Sequence, residues 1–90
     1  MAHVRYTKNL LRFFPDLQEG EIGGQTVADI LAQVEQQHPG FRRYIVDDQG
    51  ALRKHVNIFV QGQVVKDREG LSDPVGPTAE IFFVQALSGG

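Results

Sequence analysis

Ninety residues, 41% hydrophobic and 22% charged, are enough for one modest globular core and too few for two. A net charge of −2 gives neither the electrostatic footprint of a nucleic-acid binder nor a basic clamp for membrane lipid. There is no cysteine, which excludes disulfides, thiolate metal sites and a cysteine nucleophile together.

The first ten residues, "MAHVRYTKNL", lack the apolar stretch of a signal peptide. No apolar run approaches the roughly 20 residues that span a bilayer, so a cytoplasmic protein is expected. In "HVRYTKNLL", Val4 and Tyr6 alternate with His3, Arg5 and Thr7, which predicts a strand. Pro15-Asp16 and Gly23-Gly24 are turn signals, and a short second strand fits between them over Leu17 to Ile22. These two segments can pair as a hairpin with an irregular connection.

The clearest element is "TVADILAQVEQQHPG". Val27, Ile30, Leu31 and Val34 recur at helical spacing, one apolar stripe. Thr26 is a suitable N-cap, with Asp29 three residues on completing a capping box. Pro39-Gly40 stops the helix, so it is predicted over 26–38. "FRRYIVDDQGALRK" reads as an irregular connection anchored by Phe41, Tyr44, Ile45 and Leu52, with a turn at Asp48-Gln49-Gly50.

"HVNIFVQGQVV" predicts two strands around Gln61-Gly62-Gln63, with Val56, Ile58 and Val60 facing one way and Phe59 the other. "KDREGLSDPVGPT" is a loop punctuated by Gly70, Pro74, Gly76 and Pro77. "AEIFFVQA" is the last strand. The predicted order is β-β-α-β-β-β, an α+β domain with one helix across one face of a twisted sheet. Ile81 and Phe83 then point at the helix, while Phe82 and Val84 share the uncovered face with Phe59. Such a patch is either a partner surface or lies under the 41–54 connection.

No internal catalytic constellation emerges. His3, His38 and His55 are scattered without metal-ligand spacing, so no metal is expected. Asp47-Asp48 reads as a solvated turn, and serine occurs only at positions 72 and 88. Gly23-Gly24 lacks the spacing and the lysine of a phosphate loop. Arg42-Arg43 and Arg53-Lys54 flank the middle loop and read either as a basic patch for an acidic partner or, as so short a run favours, as solvated surface. What remains is "ALSGG". Residues without a Cβ can pass through a narrow channel, and four extended residues, 87–90, reach about 13 Å. That is enough to enter the active site of another enzyme.

In that order of elements, ending in Ser88-Gly89-Gly90, the chain resembles the ubiquitin-like β-grasp sulfur carriers of the MoaD/ThiS type, among them the thiocarboxylate carrier of cysteine synthesis. The resemblance covers nearly the whole chain. It implies a flexible tail over 87–90 on a single domain over 1–90, and no cofactor bound by the chain. A separate ubiquitin-activating-type enzyme would use ATP to adenylate the carboxylate of Gly90. A sulfur donor would then leave a thiocarboxylate, which a sulfur-accepting biosynthetic enzyme consumes. The resemblance also implies that both enzymes dock on an apolar region of the open face, here Phe59, Phe82 and Val84.

One feature departs from the family pattern. Gly76-Pro77-Thr78 stands where family members often carry an acidic turn before the last strand. The long connection from Phe41 to Lys54, with "LRKHVNIFV", leans toward the cysteine-synthesis carrier over a molybdopterin synthase small subunit. A modifier joined through Gly90 to lysines uses the same tail, and a β-grasp interaction module with incidental glycines is the third reading.

Overall fold

The computed structural model describes residues 1–85; Ala86 to Gly90 lie outside the described residues. Five strands form one mixed sheet: β1 (Ala2–Tyr6), β2 (Gly20–Ile22), β3 (Val56–Val60), β4 (Gln63–Val64) and β5 (Glu80–Gln85). Their spatial order is β2-β1-β5-β3-β4, so the last strand in sequence is the middle one in space. β5 runs parallel to β1 and antiparallel to β3. The predicted hairpin of the first two strands is present as an antiparallel pair. β2 is shorter than expected, because Leu17 leaves the strand and seats itself in the core instead.

The predicted helix is present as α2 (Val27–Gln37), with Thr26 and His38 as its caps. Both halves of the capping box form: the Thr26 hydroxyl accepts from the Asp29 N–H at 3.2 Å, and the Asp29 carboxylate accepts from the Thr26 N–H. The next two N–H groups also find partners. Val27 and Ala28 donate to the carbonyls of Asp73 and Leu71, which docks the 65–78 loop on the start of the helix. Val27, Ile30, Leu31 and Val34 are buried against Val56, Ile58, Ile81 and Phe83, the facing read from the alternation. Two sides of the sheet therefore differ, one covered by helix and one open.

Two further helices correct the predicted order. α1 (Lys8–Phe13) follows β1 directly, and α3 (Phe41–Ile45) occupies the start of the connection expected to be irregular. Each is too short to display a helical period, and each is held by tertiary contacts rather than propensity. Leu10 alone in α1 is buried, while Phe41 and Ile45 anchor α3. The first N–H groups of α3 are served from α2: the Glu35 carboxylate accepts from the N–H groups of Gly40 at 3.0 Å and Arg42 at 2.7 Å. These bonds, that from Arg42 foremost, lower the pKa of Glu35.

Aromatic rings join the helices to the sheet. Phe41 packs edge-on against Tyr6, Phe14 and Phe83, with centroids at 5.4–5.7 Å. Tyr6 stacks on Phe83 at 5.7 Å, and burial pushes its phenol up to about 12. Between β3 and β4 both Gln61 (φ 52°) and Gly62 (φ 79°) lie in the left-handed region, the geometry of a two-residue hairpin turn.

The 65–78 loop is organised by carboxylates. Asp67 accepts from the Ser72 hydroxyl at 2.5 Å and from the N–H groups of Glu69, Gly70 and Ser72, while Asp73 accepts from those of Lys66 and Asp67. The hydroxyl bond and these N–H donors hold Asp67 down to about 2. Among the described residues, no helix is long and apolar enough to cross a membrane.

Phe41→Ala, which empties a fully buried site, is expected to cost about 3–5 kcal/mol in urea unfolding. Thr26→Ala, which removes only the cap, is expected to cost about 1 kcal/mol. Asp67 is depressed when folded, so its contribution to stability is present above the ordinary value of 3.8 and is lost as pH falls toward about 2. Asp67→Asn should therefore flatten the acid limb of the stability curve in that window, followed by thermal melts from about pH 5 downward.

Candidate functional site

Ser88, Gly89 and Gly90, the residues that the sequence singles out for chemistry, lie outside the described residues. What the structure describes is the strand from which they continue. Gln85 is clamped on both sides. It pairs with Val56 on β3, its N–H donates to the Thr7 hydroxyl at 3.3 Å, and its carbonyl accepts from the Asn9 side-chain amide at 3.2 Å. Thr7 is the N-cap residue of α1, yet its hydroxyl does not cap that helix. It serves β5 instead, so α1 is placed where it secures the root of the tail. No signal in the sequence distinguishes this threonine from an ordinary cap.

Phe59, Phe82 and Val84 come to one face, as the alternation predicts. Phe59 is the direct cross-strand partner of Phe82, and Val84 is that of Asn57. All three are half-buried, between the fully buried Ile81 and Phe83 of the covered face. The 41–54 connection does not cover them: its anchors Phe41, Ile45, Val46 and Leu52 belong to the core under the helices. A hollow of about 320 Å³ on the open face is lined by Arg5, Phe59, Gly62, Glu80, Ile81 and Phe82.

Arg5 is the side chain that sequence reading missed. It pairs with Phe82 in the parallel β1–β5 register, and its guanidinium lies 5.1 Å from the Phe82 ring centroid. A cation over a ring at an exposed site contributes about 0.5–1 kcal/mol. The alternation of β1 does place Arg5 opposite Val4. What it could not show is that β1 would pair with β5 and set Arg5 over that ring.

One end of the open face is charged. His3 Nε2 lies 2.6 Å from Glu19 Oε2, with Arg5 Nε 4.0 Å from Glu19 Oε1. The hydrogen bond to Glu19 raises the pKa of His3, and the same bond lowers that of Glu19. The open face thus runs from a charged end through a cation-edged aromatic middle to Val84, the last apolar side chain among the described residues. Among the described residues no cluster of three or more His, Asp or Glu side chains could hold a metal ion. In the hollow of about 530 Å³ beside Glu35, Arg42, Asp47 and Asp48, the Glu35 and Asp47 carboxylates are bonded to backbone N–H groups. The geometry therefore offers a docking face beside a secured strand end.

Comparison with known proteins bears on family and fold. A family model described as the ThiS family matches residues 4–90. No curated protein sequence matches. Among solved structures, a chain of the BexX/CysO complex of Amycolatopsis orientalis is similar at TM-score 0.84 and 24% identity, with 100% of each chain covered. CysO of Mycobacterium tuberculosis, described as an antigen, is similar at TM-score 0.82 and 19% identity, covering 97% of this chain and 100% of that one. Small archaeal modifier protein 1 of Methanosarcina acetivorans is similar at TM-score 0.76 and 25% identity, covering 99% and 95%. These structures share the ubiquitin-like β-grasp fold.

His3 gains its partner by folding, so its contribution is present below the ordinary value of 6.5 and is lost as pH rises through the raised folded value. Glu19 contributes above its ordinary 4.5 and loses that contribution as pH falls. Glu19→Gln is expected to return the His3 titration to the ordinary histidine range, read from its ring proton shifts in an NMR pH series. An unchanged midpoint would show that the pair does not persist in solution.

Proposed function

The chain belongs to the ThiS family of ubiquitin-like sulfur carriers, and from that premise we propose that it carries sulfur as a thiocarboxylate on Gly90 for a biosynthetic enzyme. The observation that carries the reading is the family match through residue 90, joined to a central strand secured up to Gln85. The tail is passed to a separate ubiquitin-activating-type enzyme. There the Gly90 carboxylate attacks the α-phosphate of ATP and pyrophosphate leaves. A sulfur nucleophile then attacks the acyl carbon of the adenylate, and AMP leaves.

Gly89 and Ser88 contribute by what they lack, since small side chains let the tail enter a narrow channel. ATP belongs to the activating enzyme, and the chain binds no cofactor of its own. Phe59, Phe82 and Val84 form the face on which the activating enzyme and the sulfur acceptor dock in turn. Apolar rings beside one guanidinium suit such a surface, because aromatic and arginine side chains dominate interface energetics. The setting is the cytoplasm.

Cysteine synthesis is the favoured destination of the sulfur. The long connection between Phe41 and Lys54 supports it, as does likeness to the CysO chains over their full length. A second reading, conjugation through Gly90 to lysines, is favoured by the likeness to small archaeal modifier protein 1. Mass spectrometry of glycine–glycine remnants on lysines in a cellular digest separates the two.

Coexpression with the activating enzyme and a sulfur source is expected to add the mass of one oxygen-to-sulfur exchange, and deletion of Gly90 should abolish it. The same product from the deletion variant would overturn the reading. Phe82→Ala should slow its formation roughly tenfold while leaving the fold intact, as expected of a central interface residue.

A further inference from the structure

The root of the tail has a second side. Where the open face carries Phe59 and Phe82, the helix side carries a hollow of about 430 Å³ lined by Gly40, Arg43, Tyr44, Arg53 and Gln85. Arg43 and Arg53 are exposed and locked together, the Arg53 Nε–H donating to the Arg43 carbonyl at 2.9 Å. Tyr44 leads outward to Phe13, centroids 5.0 Å apart, and Phe13 is 60% exposed. At the floor the Gln85 Oε1 atom is buried and has no hydrogen-bond partner among the described residues.

Among the described residues no carboxylate lies within 4.0 Å of the Arg43 or Arg53 guanidinium, and Glu35 acts on Arg43 only from farther away. Among the described residues, the ion pairs within 4.0 Å are those of Glu19 with His3 and Arg5, at the far end of the sheet. Two of the nearer carboxylates are bonded to backbone, and a third, Asp48, lines the neighbouring hollow with Arg43. Glu35 accepts from the N–H groups of Gly40 and Arg42, and Asp47 accepts from those of Gln49 and Ala51. Two guanidiniums therefore stand without a carboxylate in contact, beside the strand end from which the tail continues.

We propose that this helix-side collar is a second docking surface, occupied by an acidic protein surface bordering the tail channel of the enzyme that processes Gly90. The inference rests on the proposed activation of Gly90. Distance decides between a protein surface and the nucleotide itself. Drawn out fully, the five residues from 86 to 90 would carry Gly90 about 16 Å beyond Gln85. That is about twice the Debye length of about 8 Å at physiological salt, so phosphates meeting Gly90 lie beyond the reach of the collar. What faces Arg43 and Arg53 is the rim of the channel. Tyrosine and arginine in a hollow floored by an unsatisfied acceptor are the composition of an interface anchor. Charges so placed act chiefly on encounter rate and salt dependence.

The test is pyrophosphate release by the cognate adenylating enzyme, with the full chain as varied substrate over a salt series. The double variant Arg43→Glu/Arg53→Glu is expected to lower kcat/KM about tenfold at low salt through KM, with kcat unchanged, and to flatten the salt dependence. Lys66→Glu, an exposed cation away from the collar, should match wild type. Arg43→Lys/Arg53→Lys should keep most of the salt dependence, because the charge remains. Wild-type kinetics from a double reversal that melts like wild type would overturn the proposal. So would a fall in kcat, or a raised KM for ATP, since either places the arginines at the chemistry. If wild type releases no pyrophosphate, the reading of Gly90 fails and this inference with it; if only the collar variants behave as wild type, this inference alone fails.

Discussion

The rest of the structure depends on the place of β5. The last strand in sequence is the middle strand in space, hydrogen-bonded to β1 on one side and β3 on the other. A strand so placed cannot be built until the rest of the chain is present to receive it. Its two faces then do different work: Ile81 and Phe83 are fully buried under the helices, whereas Phe82 and Val84 stand on the open side. One six-residue element therefore supplies the centre of the core and the centre of the proposed docking face.

The second principle is how the carboxylates are spent. Asp29, Glu35, Asp47, Asp67 and Asp73 all accept from backbone N–H groups, at a helix start, a helix junction and two loops. Buried or strained backbone must find partners, and this chain finds them in side-chain oxygens instead of added secondary structure. Five of the eleven acidic side chains are thus engaged by the chain's own backbone, while Arg43 and Arg53 near the strand end are exposed.

The elements with a period of their own were legible. The apolar stripe of α2, its cap at Thr26, and the alternation of β3 and β5 all read directly from residue order, and with them which side chains share a face. α1 and α3 were not legible, because helices of six and five residues carry no periodic signal and are fixed by Leu10, Phe41 and Glu35 reaching distant partners. The parallel register of β1 with β5 was equally hidden, and with it the seat of Arg5 over Phe82. The same limit applies to Thr7: it reads as part of the first strand in sequence and its hydroxyl acts as a clamp on Gln85 in space. Local pattern specifies elements; pairing across the chain specifies what they touch.

The two ladders that hold β5 also determine how the domain bears load. Because β1 and β5 lie side by side and parallel, a pull applied beyond Gln85 acts along the hydrogen-bonded rows rather than across them. The rows to β1 and β3, with the Asn9 and Thr7 contacts, then resist in shear and together, where a terminal edge strand would peel one bond at a time. Load arriving through the C-terminal end of β5 is therefore shared between both neighbouring strands before the body can open.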